Sequence, residues 1–310
     1  NYLPVGLFSH SDQIQQWQTS MPDVRSGRGW GGRIAEILQA NGFNSGNPSV
    51  SMNVSLGGNN VFQTGSTVFP YSINSNGAVE LDGYNGSSAI DAARTAAVNN
   101  QLDLQYQNLF EKTFNRKTKD ARDAAGEFQN QTGQVNIGTQ FPNTSLGDEL
   151  KMVAKTIGAH SQLGFNRQTF FVFVGGWDHH DETLSNQAYM LPMISEAVLA
   201  FRNSLRDDLT FSGGNMLDKV TLFQCSDFGR TLTSNGKGSD HAWGGNNFVM
   251  GGAVNGGEIY GTYPSLDLSR NPLDTGRGRL IPTTSVDEYF AELGMWMGVQ
   301  NNSDLEDMLP

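Results

Sequence analysis

The chain has 310 residues, 37% of them hydrophobic, and a mean hydropathy of −0.41, which fits a soluble globular protein with one sizeable core. A net charge of −11 and an isoelectric point near 4.8 argue against nucleic acid or an anionic membrane as partner, since both call for basic patches. No run approaches the roughly 18 apolar residues of a membrane span, and the lone Cys225 excludes an intrachain disulfide.

The chain opens at Asn1 without a charged-then-apolar leader, the mark of a processed or trimmed product. Residues 1–20 read as a short strand, a turn at Ser9 and a helix carrying Ile14 and Trp17. Gly29 to Gly32 break the chain, and Arg33 to Ala40 resume a helix. Val50 to Leu56 alternates apolar and polar side chains, the pattern of a half-covered strand. Residues 57–85 are mostly loop. Two helices follow between Ser87 and Gln129, part of a mainly helical insertion at about 87–145, and Leu146 to His160 forms a further amphipathic helix. Then comes a regular alternation: strand 169–174, helix 187–206, strands 219–225 and 247–251, and helix 285–298. Continuously apolar strands separated by helices predict a single α/β domain over 1–310 with a mostly parallel sheet, buried on both faces.

Open parallel sheets bind ligands beyond the carboxyl ends of their strands. Three clusters fit that rule. Asp178, His179 and His180 follow the 169–174 strand in Gly-Gly-Trp-Asp-His-His-Asp-Glu. Asp227 and Arg230 lie in Ser-Asp-Phe-Gly-Arg after the 219–225 strand. Asp240 and His241 sit in the loop before the 247–251 strand. With Ser9-His10-Ser11-Asp12, four of the five histidines lie within two positions of an aspartate. Imidazole and carboxylate together suit Zn, Mn and similar ions, while carboxylate alone suits Mg or Ca. In an extended segment Asp178 and His180 point the same way and can share an ion, with His179 facing away. His160 reads as structural, and Ser9 as the helix N-cap, a position compatible with nucleophilic use.

These stretches, in order with Gly29-Trp30-Gly31-Gly32-Arg33, are similar to domain of unknown function 1501, a bacterial family related to the alkaline phosphatase and sulfatase superfamily. The resemblance spans nearly the whole chain and is weakest over residues 40–145. It implies an alkaline phosphatase-like three-layer sandwich, here lacking the usual N-terminal strand, and a periplasmic or extracellular location. Position by position it implies Asp178, His180 and His241 at one metal, Asp227 (beside Asp240 in the candidate set) at a second, and Ser9 as nucleophile. Arg230 would hold the substrate anion. The superfamily's Asp-His pair at the second metal reads Asp227-Phe228 here, and the formylglycine signature of sulfatases is absent.

The expectation is a hydrolase of small phosphate or sulfate esters that depends on a divalent ion (Zn, Mn, Ca or Mg). His10 or His179 would be the general acid. Two alternatives stand beside it: a catalytically degenerate exported binding or surface-assembly protein, and a hydrolase that activates water with no covalent intermediate.

Overall fold

The computed structural model describes residues 3–44 and 50–310. The opening of the chain, of which the first two residues lie outside those described, forms a turn and not the expected strand. Gly6 and Phe8 take φ values of 64° and 72°, a left-handed geometry that an extended strand does not contain. The turn delivers the chain into helix α1 (His10–Thr19).

Helix α2 (Trp30–Ala40) starts inside the glycine run where a break was expected. Gly29 is its N-cap, and Gly31 and Gly32 are buried helical residues. The reason is close approach: a Cβ on Gly32 would stand 2.3 Å from the Thr64 carbonyl oxygen. Rigid backbone cannot yield to that contact. Gly32→Ala is therefore expected to cost about 3 kcal/mol, read as a lower denaturant midpoint; an unchanged midpoint would refute this account of the motif.

Trp30 inserts from the same helix into the main core. It stacks on Phe290 at a centroid distance of 4.3 Å and donates its indole N–H to the Trp17 carbonyl at 3.1 Å. Buried Arg33 ties three pieces of backbone together. Its guanidinium donates to the carbonyls of Met308 (2.7 Å), Arg28 (2.9 Å) and Thr19. Burial, and then the charge of Arg28, push its pKa down to about 10, so it stays charged at neutral pH.

Strand β1 (Asn53–Ser55) is the centre of a four-stranded sheet. It pairs in parallel with β2 (Tyr71–Asn74), which turns back into β3 (Gly77–Ala78). Lying between two strands, β1 is buried throughout and not half-covered as its alternation suggested. Its polar residues are satisfied inside: Asn53 Nδ2 donates to the Gln63 carbonyl at 2.9 Å. Helices α3 (Ala89–Leu102), α4 (Leu109–Gly133) and α5 (Ser145–Gly158) follow, capped by Ser88, Asn108 and Thr144. Only the second half of α4 reaches the core, through Ala124, Ala125 and Phe128.

Strand β4 (Thr169–Phe171) pairs in parallel with β1 on its other side. Helix α6 (Thr183–Asn203) and the small hairpin β5 (Thr210–Phe211) and β6 (Gly214–Asn215) lead to β7 (Thr221–Phe223). The next two strands, β8 (Arg230–Ser234) and β9 (Ser239–His241), form a hairpin before β10 (Val249–Gly251). Helices α7 (Val286–Met297), held by a Ser285–Glu288 capping box, and α8 (Asn302–Met308) complete the chain.

Two apolar clusters flank these strands. Phe171 and Phe223 join the one built on Trp30, Leu38, Phe128 and Phe290. Val172, Val174, Leu222 and Met250 join the one built on Leu150, Ile157, Phe201 and Leu205. Side-chain alternation along the strands produces this division. The architecture is thus mixed α/β, with helices and small mixed sheets, and the expected mostly parallel sheet is not seen: only the pairings of β1 with β2 and with β4 are parallel, and the other four strand pairings are antiparallel. Strands β7 and β10 pair antiparallel. A parallel return needs a crossover, usually a helix, and the segment between these two strands holds the β8–β9 hairpin instead.

Candidate metal centre

Three separated pieces of chain bring their side chains to one place. His10 is the first residue of α1, Asp178 and His180 follow the 169–174 segment, and His241 ends β9 opposite Arg230. The Asp240–His241 pair, read from the sequence as loop, is therefore on a strand. The close approach of the supporting loops again needs glycine: a Cβ on Gly229 would stand 2.1 Å from the Gly244 carbonyl oxygen.

Asp178 is the hub. Its Oδ1 lies 3.0 Å from His241 Nε2 and 3.1 Å from His180 Nε2, and it accepts from Arg230 Nη1. Its Oδ2 lies 3.3 Å from His10 Nε2. Burial raises its pKa, but the hydrogen bond and the charge of Arg230 outweigh this and hold it at about 2, so the carboxylate is ionised. His10, Asp178 and His241 each offer a ligand atom within 4.8 Å of the other two, a set that can hold a metal ion. Among the described residues this is the single such group.

The orientation of the rings carries more than their proximity. Each of the three imidazoles turns Nε2 inward and gives Nδ1 to an acceptor. His241 Nδ1 meets the Phe8 carbonyl at 2.8 Å, His10 Nδ1 meets Asp227 Oδ2, and His180 Nδ1 faces Asp240 Oδ1 at 3.4 Å. A carbonyl can only accept, so His241 Nδ1 carries the proton, and neutral His241 presents a lone pair at Nε2. This is the arrangement of histidines that bind metals, in which an acceptor behind the ring fixes the tautomer. Two bare nitrogens, His180 Nε2 and His241 Nε2, lie 3.0 Å apart and would repel unless a proton or a cation stood with them. His10 Nε2 is buried and makes no hydrogen bond. The donor set therefore fits a metal ion.

The other candidates fall into place around this set. Asp227 stands behind His10, fixed by Ser226 Oγ at 3.0 Å. Asp240 stands behind His180 and is held at about 2 by hydrogen bonds, first from Asn235 and then from Arg277. Both carboxylates thus buttress histidines. Ser9 precedes His10 at the start of α1; its hydroxyl makes no capping bond and lies 3.3 Å from Ser11 Oγ. It also hydrogen-bonds Asp12 and, with Arg25, lowers that carboxyl's pKa. His179 is 4% exposed and turned against Trp177, with ring centroids 6.0 Å apart. It does not offer a proton at the open face. His160 Nδ1 faces the Ile157 carbonyl at 2.8 Å, away from the set.

Three contributors escape a reading of the sequence. Phe8 supplies the carbonyl that orients His241, and its positive φ is held by Gln13 Oε1, which accepts the Phe8 N–H at 2.6 Å. Asn235 donates to the His180 carbonyl at 2.9 Å and to Asp240 at 3.1 Å. Arg277 donates to Asp240 Oδ2 at 2.6 Å. Only the glycines on either side of Arg277 hint at an unusual backbone there.

Fold and site together define a mixed α/β protein with an imidazole–carboxylate cluster suited to a metal ion. The family described as "Protein of unknown function (DUF1501)" matches residues 3–304, and the chain belongs to it. No curated protein and no solved structure matches the chain. No helix of the described residues is long and apolar enough to cross a membrane.

Proposed function

We propose that this protein is a metal-dependent hydrolase of small anionic esters, of the phosphate or sulfate kind. The observation that carries the reading is the inward turn of three Nε2 atoms onto ionised Asp178, each ring backed by its own acceptor. His10, Asp178 and His241 would hold the ion, with His180 as a further donor. A bound divalent ion there supplies Lewis-acid charge that offsets a developing anion and eases deprotonation of a nearby hydroxyl.

The chain's own groups have separate tasks in this reading. Asp227, Asp240 and the Phe8 carbonyl keep the rings aimed and their Nδ1 protons in place. Ser9 is the nucleophile. It lies at the N-terminus of α1, where the helix dipole favours an alkoxide and an incoming anion. Its proton has an ionised acceptor at hand in Asp12. Arginine side chains border the site in a protein of net charge −11, which favours an anionic substrate locally against the overall sign.

The test is elemental analysis of the purified protein and of Asp178→Asn and His241→Ala, with hydrolysis of an aryl phosphate and an aryl sulfate measured after adding Zn, Mn, Ca or Mg. Near-stoichiometric metal in the parent, lost from both variants together with turnover, is the expected result. Equal metal content in all three proteins ends the assignment. Metal retained without turnover of either ester leaves a binding protein in place of a hydrolase. Ser9→Ala separates the nucleophiles: turnover falls by orders of magnitude if serine attacks, and changes little if water does.

A further inference from the structure

The sequence points to Arg230 as the holder of the substrate anion, but the fold has spent that side chain. Its Nη1 donates to Asp178, its Nη2 to the Ser239 carbonyl, and its Nε faces Ser239 Oγ at 3.5 Å. All three nitrogens are engaged on the wall of the site, and the side chain is 20% exposed. An anion arriving there would have to break the bonds that position Asp178.

Two other arginines are differently placed. Arg277 and Arg279 bracket Asp240–His241 from the 274–280 loop. Arg277 uses Nη1 on Asp240 and leaves Nε and Nη2 without a partner among the described residues, on a side chain 41% exposed. Arg279 donates Nε to the His241 carbonyl at 3.2 Å, and its guanidinium lies 5.2 Å above the Phe8 ring. Asp240 touches His180, which touches Asp178 and His241. Arg277 is thus joined to the metal-binding set through Asp240 and His180.

The loop is built to hold that position. Gly276, Arg277 and Gly278 take φ of 112°, 64° and 73° in succession. A side-chain-bearing residue in the left-handed region costs about 1 kcal/mol, and glycine or asparagine would serve the turn better. Asp274 Oδ1 accepts from the Gly276 and Gly278 N–H groups at 2.8 Å each, and the Arg277 carbonyl accepts from the Thr233 N–H at 3.2 Å. Strain maintained by such a frame, at an arginine facing a candidate site, points to use of the side chain.

We infer that Arg277, with Arg279 beside it, grips the terminal oxyanion of the substrate, which is a tetrahedral phosphate- or sulfate-type group set against the His10, Asp178 and His241 cluster. This rests on the metal-centre reading above. The planar guanidinium suits such a group because two N–H bonds meet two oxygens at once, and the Asp240 contact fixes the plane beforehand.

Inorganic phosphate and inorganic sulfate are the probes, titrated calorimetrically into the Zn- or Mn-loaded protein and into Arg277→Met, Arg277→Lys and Arg230→Met. Metal content is measured on every sample. Arg277→Met is expected to bind the preferred anion about tenfold to a hundredfold more weakly at unchanged metal content, with Arg277→Lys recovering only part of the loss. Parent-like anion affinity in Arg277→Met, with a loss in Arg230→Met, overturns the inference and returns the role to Arg230. A metal-loaded parent that binds neither anion overturns it while the metal centre stands. Anion binding that depends on Arg277 in a parent that takes up no metal supports it and removes the metal reading instead.

Discussion

Replacing His10 with alanine is expected to weaken metal binding by more than a hundredfold. The variant loses a ligand nitrogen outright, whereas losing an acceptor behind a metal-bound histidine costs roughly 10–100-fold. Asp227→Asn supplies that comparison, since it leaves His10 in place and removes only the charge behind Nδ1. Competition against a chromophoric chelator gives both affinities. The expected order is parent, then Asp227→Asn, then His10→Ala. Equal affinity for all three would place the ion elsewhere, because His10 Nε2 would then be a buried nitrogen with no task. His10 sits at the rim of α1 and not in the main apolar cluster, so the metal-free variant should keep its denaturation midpoint.

The largest loss of stability is expected from Arg33→Ala. The substitution leaves the buried carbonyls of Met308 and Thr19 without donors. Each such acceptor costs about 1–3 kcal/mol, so the two together cost about 2–6 kcal/mol. Arg33→Lys should recover only part of this, since an ammonium cannot place the three separate bonds of the guanidinium fork. Chemical denaturation monitored by tryptophan fluorescence reports the change, helped by Trp30 lying in the affected core. A loss below about 1 kcal/mol would mean that water replaces the guanidinium and that the helix does not depend on this tie.

The helices were legible because their signals are local. The helix starts read at residues 285 and 146 fall within one residue of those observed, where Ser285 with Glu288 and Thr144 supply the caps. Strand direction was not legible, because β7 and β10 carry the same apolar composition in either orientation. Only the hairpin between them decides it. The glycine run before Arg33 suggested a break because glycine disfavours helices in isolation, and the override is tertiary, set by the backbone at Thr64. At the site, chemistry named the donors: His241, His180 and Asp178 were candidates from residue type and spacing alone. Their partnering was hidden. His10 meets Asp227 across 217 positions, and His241 meets a backbone carbonyl at Phe8 across 233, contacts with no trace in local pattern. The same blindness gave Arg230 a task its bonds do not leave free.

That span has a consequence for how the molecule comes into being. On the ribosome His10 emerges 217 residues before Asp227 and must wait for it. Contacts of such sequence separation are slow to form, since the intervening chain must first be ordered. The cluster therefore cannot form until Asp227 and His241 have been made, and the Trp30 core must wait in the same way for Phe290. A nascent chain carries the early pieces of its centre without the ability to use them.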